Sequence, residues 1–135
     1  MEEEEWELYC ACRDGKVEEV IKLLQNEQIN INWHHQNSWT SLYLACFVGV
    51  IEVVKVLLND KRIEANKATN DGETPFYIAC QNGYIEIVKL LLNDKRISIR
   101  KETDEGKTAI DIAKERNHSN IVGLIQEFDT GNNQL

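Results

Sequence analysis

The chain has 135 residues, 42% hydrophobic and 28% charged, which fits one compact domain or one short stack of repeats and argues against wholesale disorder. Its formal charge of −8 disfavours a phosphate backbone as partner, because that surface needs clustered Lys and Arg. The same charge repels anionic membranes, and no run approaches the roughly 18 apolar residues of a membrane span.

The N-terminal stretch Met1-Glu2-Glu3-Glu4-Glu5-Trp6 has neither the positive flank nor the apolar core of a secretory leader. A cytoplasmic location is expected, with the nucleus as alternative. There Cys10, Cys12, Cys46 and Cys80 stay reduced. The first unit, about 1–36, opens columns that recur at a spacing of 34: Ala11, Ala45, Ala79 and Ala113, and Gly15, Gly49 and Gly83 with Asn117 next. Its Glu4, Glu5 and Glu7 stand in place of the turn and Thr-Pro chemistry of later units, and they predict an acidic outer face on an N-terminal cap.

The second unit, 37–70, and the third, 71–104, are identical at 18 of 34 aligned positions. Asn59-Asp60-Lys61-Arg62-Ile63 returns intact as Asn93-Asp94-Lys95-Arg96-Ile97. In the third unit Asn70-Asp71-Gly72 marks a turn. Thr74 then caps a helix that Pro75 opens, Phe76, Ala79 and Cys80 form its apolar face, and Gly83 ends it. A second helix is predicted over about 85–92, with Ile85, Val88, Leu91 and Leu92 inward and Glu86 and Lys89 outward. The fourth unit, 105–128, reads as a closing cap kept soluble by Lys114, Glu115, Arg116 and Gln126. Residues 129–135 read as a flexible polar tail. Helices of about eight residues are too short to persist alone, since roughly 12–15 residues are marginal. Each unit must therefore bury its neighbour's apolar face.

The run Asp71-Gly72-Glu73-Thr74-Pro75-Phe76-Tyr77-Ile78-Ala79-Cys80-Gln81-Asn82-Gly83, followed by Ile85-Glu86-Ile87-Val88-Lys89-Leu90-Leu91-Leu92, resembles the signature of the ankyrin repeat family. The resemblance covers about 6–128 and implies an all-α solenoid of four stacked helix pairs with projecting β-hairpin loops, forming a single domain over 1–128. The period is one residue longer than the family's, and the Asn-Asp-Lys-Arg-Ile segment is the expected seat of the extra residue. Tyr43 and Tyr77 replace the family's histidine, Ser38 its turn glycine and Ser41 its proline, so the second hairpin should be less regular. The resemblance also implies that Asn32 and Asn66 tie their loops by hydrogen bonds, with Arg100 departing from that pattern, and that His118 is structural.

The residues offer little chemistry. Cys12, Cys46 and Cys80 recur at 34 beside the alanine column and read as small core residues. Stacked helices lie roughly 8–10 Å apart and disulfides need Cα atoms within about 7 Å, so a disulfide ladder is excluded. Cys10 falls on the Leu44/Ile78/Ile112 column and should be buried. His34 and His35 are adjacent, diverge, and lack the further ligands that zinc requires. No metal, cofactor or catalytic residue is expected, and the chain does not read as an enzyme.

Partners in the resembled family dock on hairpin tips and on the exposed side of the first helices. Those positions here are Trp39, Glu73 and Lys107 at the tips, and Arg13–Asp14, Phe47–Val48, Gln81–Asn82 and Glu115–Arg116 on the helices. The second unit alone is apolar, with Trp33 and Tyr43 expected close by. Trp33, Trp39, Tyr43, Phe47, Val48, Glu73, Gln81, Asn82 and Lys107 are thus the expected partner-binding residues of a monomeric protein-interaction module, with no nucleic acid, membrane or small-molecule substrate as ligand. Local packing of Trp33 against Trp39 is the competing explanation of the cluster. The alternative function is a structural or self-associating portion of a larger multidomain protein.

Overall fold

The computed structural model describes residues 2–133. Eight α-helices stand in four pairs: α1 Glu3–Arg13 with α2 Val17–Leu24, α3 Ser41–Val48 with α4 Ile51–Leu58, α5 Pro75–Gln81 with α6 Ile85–Leu92, and α7 Ala109–Glu115 with α8 Ser119–Asn133. This is the all-α stack that the period demands. Helices α1, α3, α5 and α7 pack on one another in sequence as an inner layer, and α2, α4, α6 and α8 form the outer layer. No helix among the described residues is long and apolar enough to cross a membrane.

The repeated residues explain the repeated geometry. The hydroxyls of Thr40 and Thr74 each accept the backbone N–H three residues on, at 3.1 Å. Thr108 does the same for Asp111, whose carboxylate returns the bond in a capping box. Ala11, Ala45, Ala79 and Ala113, with Cys12, Cys46 and Cys80, are fully buried, and their small side chains let the inner helices approach closely. Gly49 ends α3 in the left-handed region (φ 91°), and a Cβ there would lie 2.8 Å from the Tyr84 ring. Gly83 repeats the arrangement at φ 75°, 2.7 Å from the His118 ring. Asn117 takes that conformation in the fourth repeat, where asparagine tolerates it.

The repeated Asn-Asp-Lys-Arg-Ile segment is a clamp between repeats. Arg62 reaches back to donate to the carbonyls of Leu24, Asn26 and Ile29 at 2.8, 3.0 and 3.4 Å, while Asp60 pins its guanidinium at 2.7 Å. These carbonyls sit at and just beyond the end of α2, where the helix leaves its last acceptors unpaired. Arg96 repeats the move onto Leu58 at 2.6 Å. Asn32 bridges the same junction, donating to the Arg62 carbonyl at 2.9 Å and accepting from the Glu64 N–H at 2.8 Å. Asn66 has the equivalent bonds to Arg96 and Ser98. Arg100, next in that column, instead pairs with Asp129 at 3.0 Å.

Four expectations need correcting. The loops are not β-hairpins with ladders. Among the described residues no strand forms, and the only bridge joins His34 to Thr40. Each loop is closed across its base by a backbone bond, His35 to Trp39, Thr69 to Glu73 and Thr103 to Lys107, with a turn bond inside it. The tips are then tied to one another, Asn70 to Asn37 at 2.9 Å and Asp104 to Asp71 at 3.0 Å. Glu5 does not face outward: it is buried, and its carboxylate accepts the Asn30 N–H at 2.9 Å. Cys10 is half-buried, because α1 is the first inner helix and no other helix covers that side of it. Helix α8 continues through 129–133, where a flexible tail was expected, and the Arg100–Asp129 pair sits on that extension. Gln134 and Leu135, in the same expected tail, lie outside the described residues, as does Met1.

Candidate protein-binding surface

Because the four repeats superpose by sequence, each position has its own controls within the chain. Trp39 aligns with Glu5, Glu73 and Lys107, Phe47 with Arg13, Gln81 and Glu115, and Val48 with Asp14, Asn82 and Arg116. Three columns that are polar or charged in the other repeats are thus apolar in the second, and two of them, those of Phe47 and Val48, lie at the surface there. Phe47 is 38% and Val48 40% exposed, the two large apolar side chains that the inner layer leaves open beyond Trp6.

Local geometry lines these residues up. Trp39, Tyr43 and Phe47 are spaced by four, so they fall on one stripe of α3 and its lead-in. The Trp39 ring centroid lies 4.8 Å from that of Tyr43 and 5.0 Å from that of Phe47. Trp39 is half-buried and packs on the core, whereas Tyr43 is a core residue at 1% exposure. Tyr43 keeps only its hydroxyl for the surface, donating to Glu73 Oε1 at 2.6 Å. Burial and that carboxylate push the phenol well above its ordinary range, so it stays a donor and fixes the Glu73 side chain. Asn82 donates to the Phe47 carbonyl at 3.0 Å, and His118 shares a bond with the Gln81 carbonyl at 3.0 Å. Phe47, Gln81, Asn82, Tyr84, Arg116 and His118 line a shallow groove of about 540 Å³. A second groove of about 590 Å³ is lined by Leu92, Ile97, Ile99, Arg100, Phe128 and Asp129 among others. It contains none of the sequence-predicted residues.

The expected nine residues do not form one cluster. Trp39, Tyr43, Phe47, Glu73 and Asn82 are joined by the contacts above, and Val48 and Gln81 are their neighbours in the chain. Trp33 belongs elsewhere: it packs with Trp6, Tyr9 and His35, whose ring centroids all lie 5.0–6.3 Å from one another. Its indole N–H donates to Glu2 at 2.9 Å. Trp33 and Trp39 therefore do not stack on each other, and the local-packing explanation loses its central contact. Lys107 lies two repeats from Trp39 and pairs with Glu115 at 3.0 Å.

Sequence reasoning missed Trp6, Tyr9 and His35. The signal was there for Tyr9, which shares the 34-residue column of Tyr43 and Tyr77. Trp6 lies on the column of the capping threonines, and nothing local marks its contact with a residue 27 positions on. It is 43% exposed.

The thiols offer no chemistry at this surface. Burial pushes Cys12 up to about 12 and raises Cys46 and Cys80 as well. Among the described residues no three His, Cys, Asp or Glu side chains gather to hold a metal ion. The family model "Ankyrin repeats (3 copies)" matches residues 6–69 and 61–134. No curated protein matches the chain.

Proposed function

The chain belongs to the ankyrin repeat family, and on that footing we propose that it binds another protein through the exposed side of its second repeat. Ankyrin repeats are generally protein–protein interaction modules; the finer reading rests on one observation. Trp39, Phe47 and Val48 are apolar at positions where the other three repeats carry Glu, Gln, Asn, Arg, Asp or Lys, and Phe47 and Val48 stand open. The fold does not require apolar side chains at the Phe47 and Val48 positions, because polar residues stand there in the other repeats. Contiguous exposed apolar surface marks interaction sites, and burying one such side chain contributes about 1.5–3 kcal/mol. The fixed Glu73 carboxylate and the Asn82 amide at its edge add polar contacts that set orientation. The reading is one of binding without catalysis.

Phe47→Ser/Val48→Ser is the appropriate test variant, since both side chains are exposed and their loss leaves the core intact. Wild type and variant, matched by circular dichroism and immobilised, are presented with a lysate of the source cell. A protein retained by the wild type and lost by the variant is the expected result. Identical retention would refute the site. A concentration-dependent sedimentation coefficient abolished by the variant would favour self-association through the same patch.

A further inference from the structure

Acidic side chains stand on two sides of the aromatic patch. Glu73 is held at its edge by the Tyr43 hydroxyl, which occupies Oε1 and leaves Oε2 without a bond from the described residues. Asp71 is exposed at the neighbouring tip. Across the first repeat, Glu2 caps the Trp33 indole, with Glu3 and Glu4 exposed beside it. The two aromatic groups are separate but adjoin at one loop, where the His35 N–H donates to the Trp39 carbonyl at 2.9 Å.

Of the nearby cations, Arg13 pairs with Asp14 at 2.8 Å and Lys107 with Glu115 at 3.0 Å, Lys67 donates to the Asn32 carbonyl at 3.5 Å, and Arg116 lies at the far side of the groove. Among the described residues, Glu2, Asp71 and Glu73 make no ion pair. Burial pushes Tyr77 up to about 12, with the Glu73, Glu115 and Glu105 carboxylates adding to the rise and Arg116 opposing it.

Resting on the protein-binding reading above, we propose that the partner is a basic polypeptide segment, with an apolar residue seated on Trp39, Phe47 and Val48 and a flanking arginine or lysine meeting Glu73 and Asp71. Indole and phenyl faces attract cations as well as apolar groups. Arginine suits the site better than lysine, because its planar guanidinium stacks on a ring and engages a carboxylate at the same time. Tyr43 already fixes Glu73, so less freedom is lost there on binding. Acidic segments and nucleic acid meet a chain of net charge −8 and are repelled.

A random peptide library displayed on phage, panned against the immobilised full chain with Phe47→Ser/Val48→Ser as counter-selection, tests this. The expected result is that sequences retained only by the wild type are enriched in Arg and Lys beside an apolar residue, relative to the unselected library. Glu73→Gln should weaken the best of them about tenfold. Variant-sensitive sequences that are neutral or acidic, or basic ones indifferent to Glu73→Gln, would overturn this inference and leave the docking patch standing. If no retained sequence is sensitive to the Phe47/Val48 variant, the docking patch fails and this inference with it.

Discussion

Replacing Arg62 or Arg96 by alanine is the same deletion in the same repeated pentapeptide, but the two arginines do different amounts of bonding. Arg62 donates to three carbonyls of the preceding repeat with its side chain 31% exposed. Arg96 donates to one, with its side chain 40% exposed. A shielded hydrogen bond from a charged donor contributes about 1.5–3 kcal/mol. The Ile29 bond at 3.4 Å is too long to count for much, and exposure of about a third halves the remaining two. Arg62→Ala should then cost about 2 kcal/mol and Arg96→Ala about 1 kcal/mol. The aspartate pairs add about 0.5 kcal/mol or less in each case and cancel in the comparison. Urea unfolding followed by far-UV circular dichroism reads this directly. With a slope of about 2 kcal/mol/M, the midpoint falls by about 1 M for Arg62→Ala and about 0.5 M for Arg96→Ala. Arg62→Lys should recover less than half, because an ammonium cannot reach several carbonyls as a fork does. Equal losses, or a larger one at Arg96, would refute the idea that the clamp acts through the carbonyls it reaches.

Gly83→Ala should destabilise by about 2–4 kcal/mol, because it combines a left-handed φ with a Cβ pressed on the His118 ring. A melting temperature unchanged from wild type would show that His118 yields freely. At about pH 8 native protein should expose one fast thiol to a disulfide reagent, the half-buried Cys10, and four after unfolding. Three or four fast thiols in the native state would contradict the burial of Cys12, Cys46 and Cys80. Asp60 and Asp94 are held below the ordinary carboxylate range by the Arg62 and Arg96 hydrogen bonds, and Asp111 by those of Thr108. Their folded values lie under the unfolded value of about 3.9, so the stability they contribute is intact above about pH 4 and fades as pH falls through the folded values. An Asp60→Asn/Asp94→Asn double variant should therefore lose less stability between about pH 4 and pH 2 than wild type does. Parallel curves would argue against the linkage.

What the sequence disclosed was what repeats. The 34-residue columns located every inner helix, the buried Ala and Cys positions and the glycine stops, since identical local patterns make identical local structure. The spacing of four among Trp39, Tyr43 and Phe47 likewise forecast their alignment on α3. Contacts set by one repeat meeting the next were less legible. Trp33 sits six residues before Trp39, but Trp6, Tyr9 and Glu2 draw it to α1, and no period encodes that choice. The burial of Glu5 depends on an N–H at Asn30, supplied by a loop whose path only packing decides. The repeated Asp-Lys-Arg could be flagged as the inserted segment, though the Arg62 acceptors Leu24, Asn26 and Ile29 lie 38, 36 and 33 residues back and so fall in no single aligned column.

The division of aromatic residues has a spectroscopic consequence. All three tryptophans, Trp6, Trp33 and Trp39, precede α3, so indole emission reports on the first two repeats alone, whereas helical ellipticity sums over all four. In an array held together by nearest-neighbour interfaces, the offset between those two signals during denaturation measures how far cooperativity extends along the stack. The chain thus carries its own position-resolved probe of whether the C-terminal pairs can fray while the N-terminal pairs remain folded.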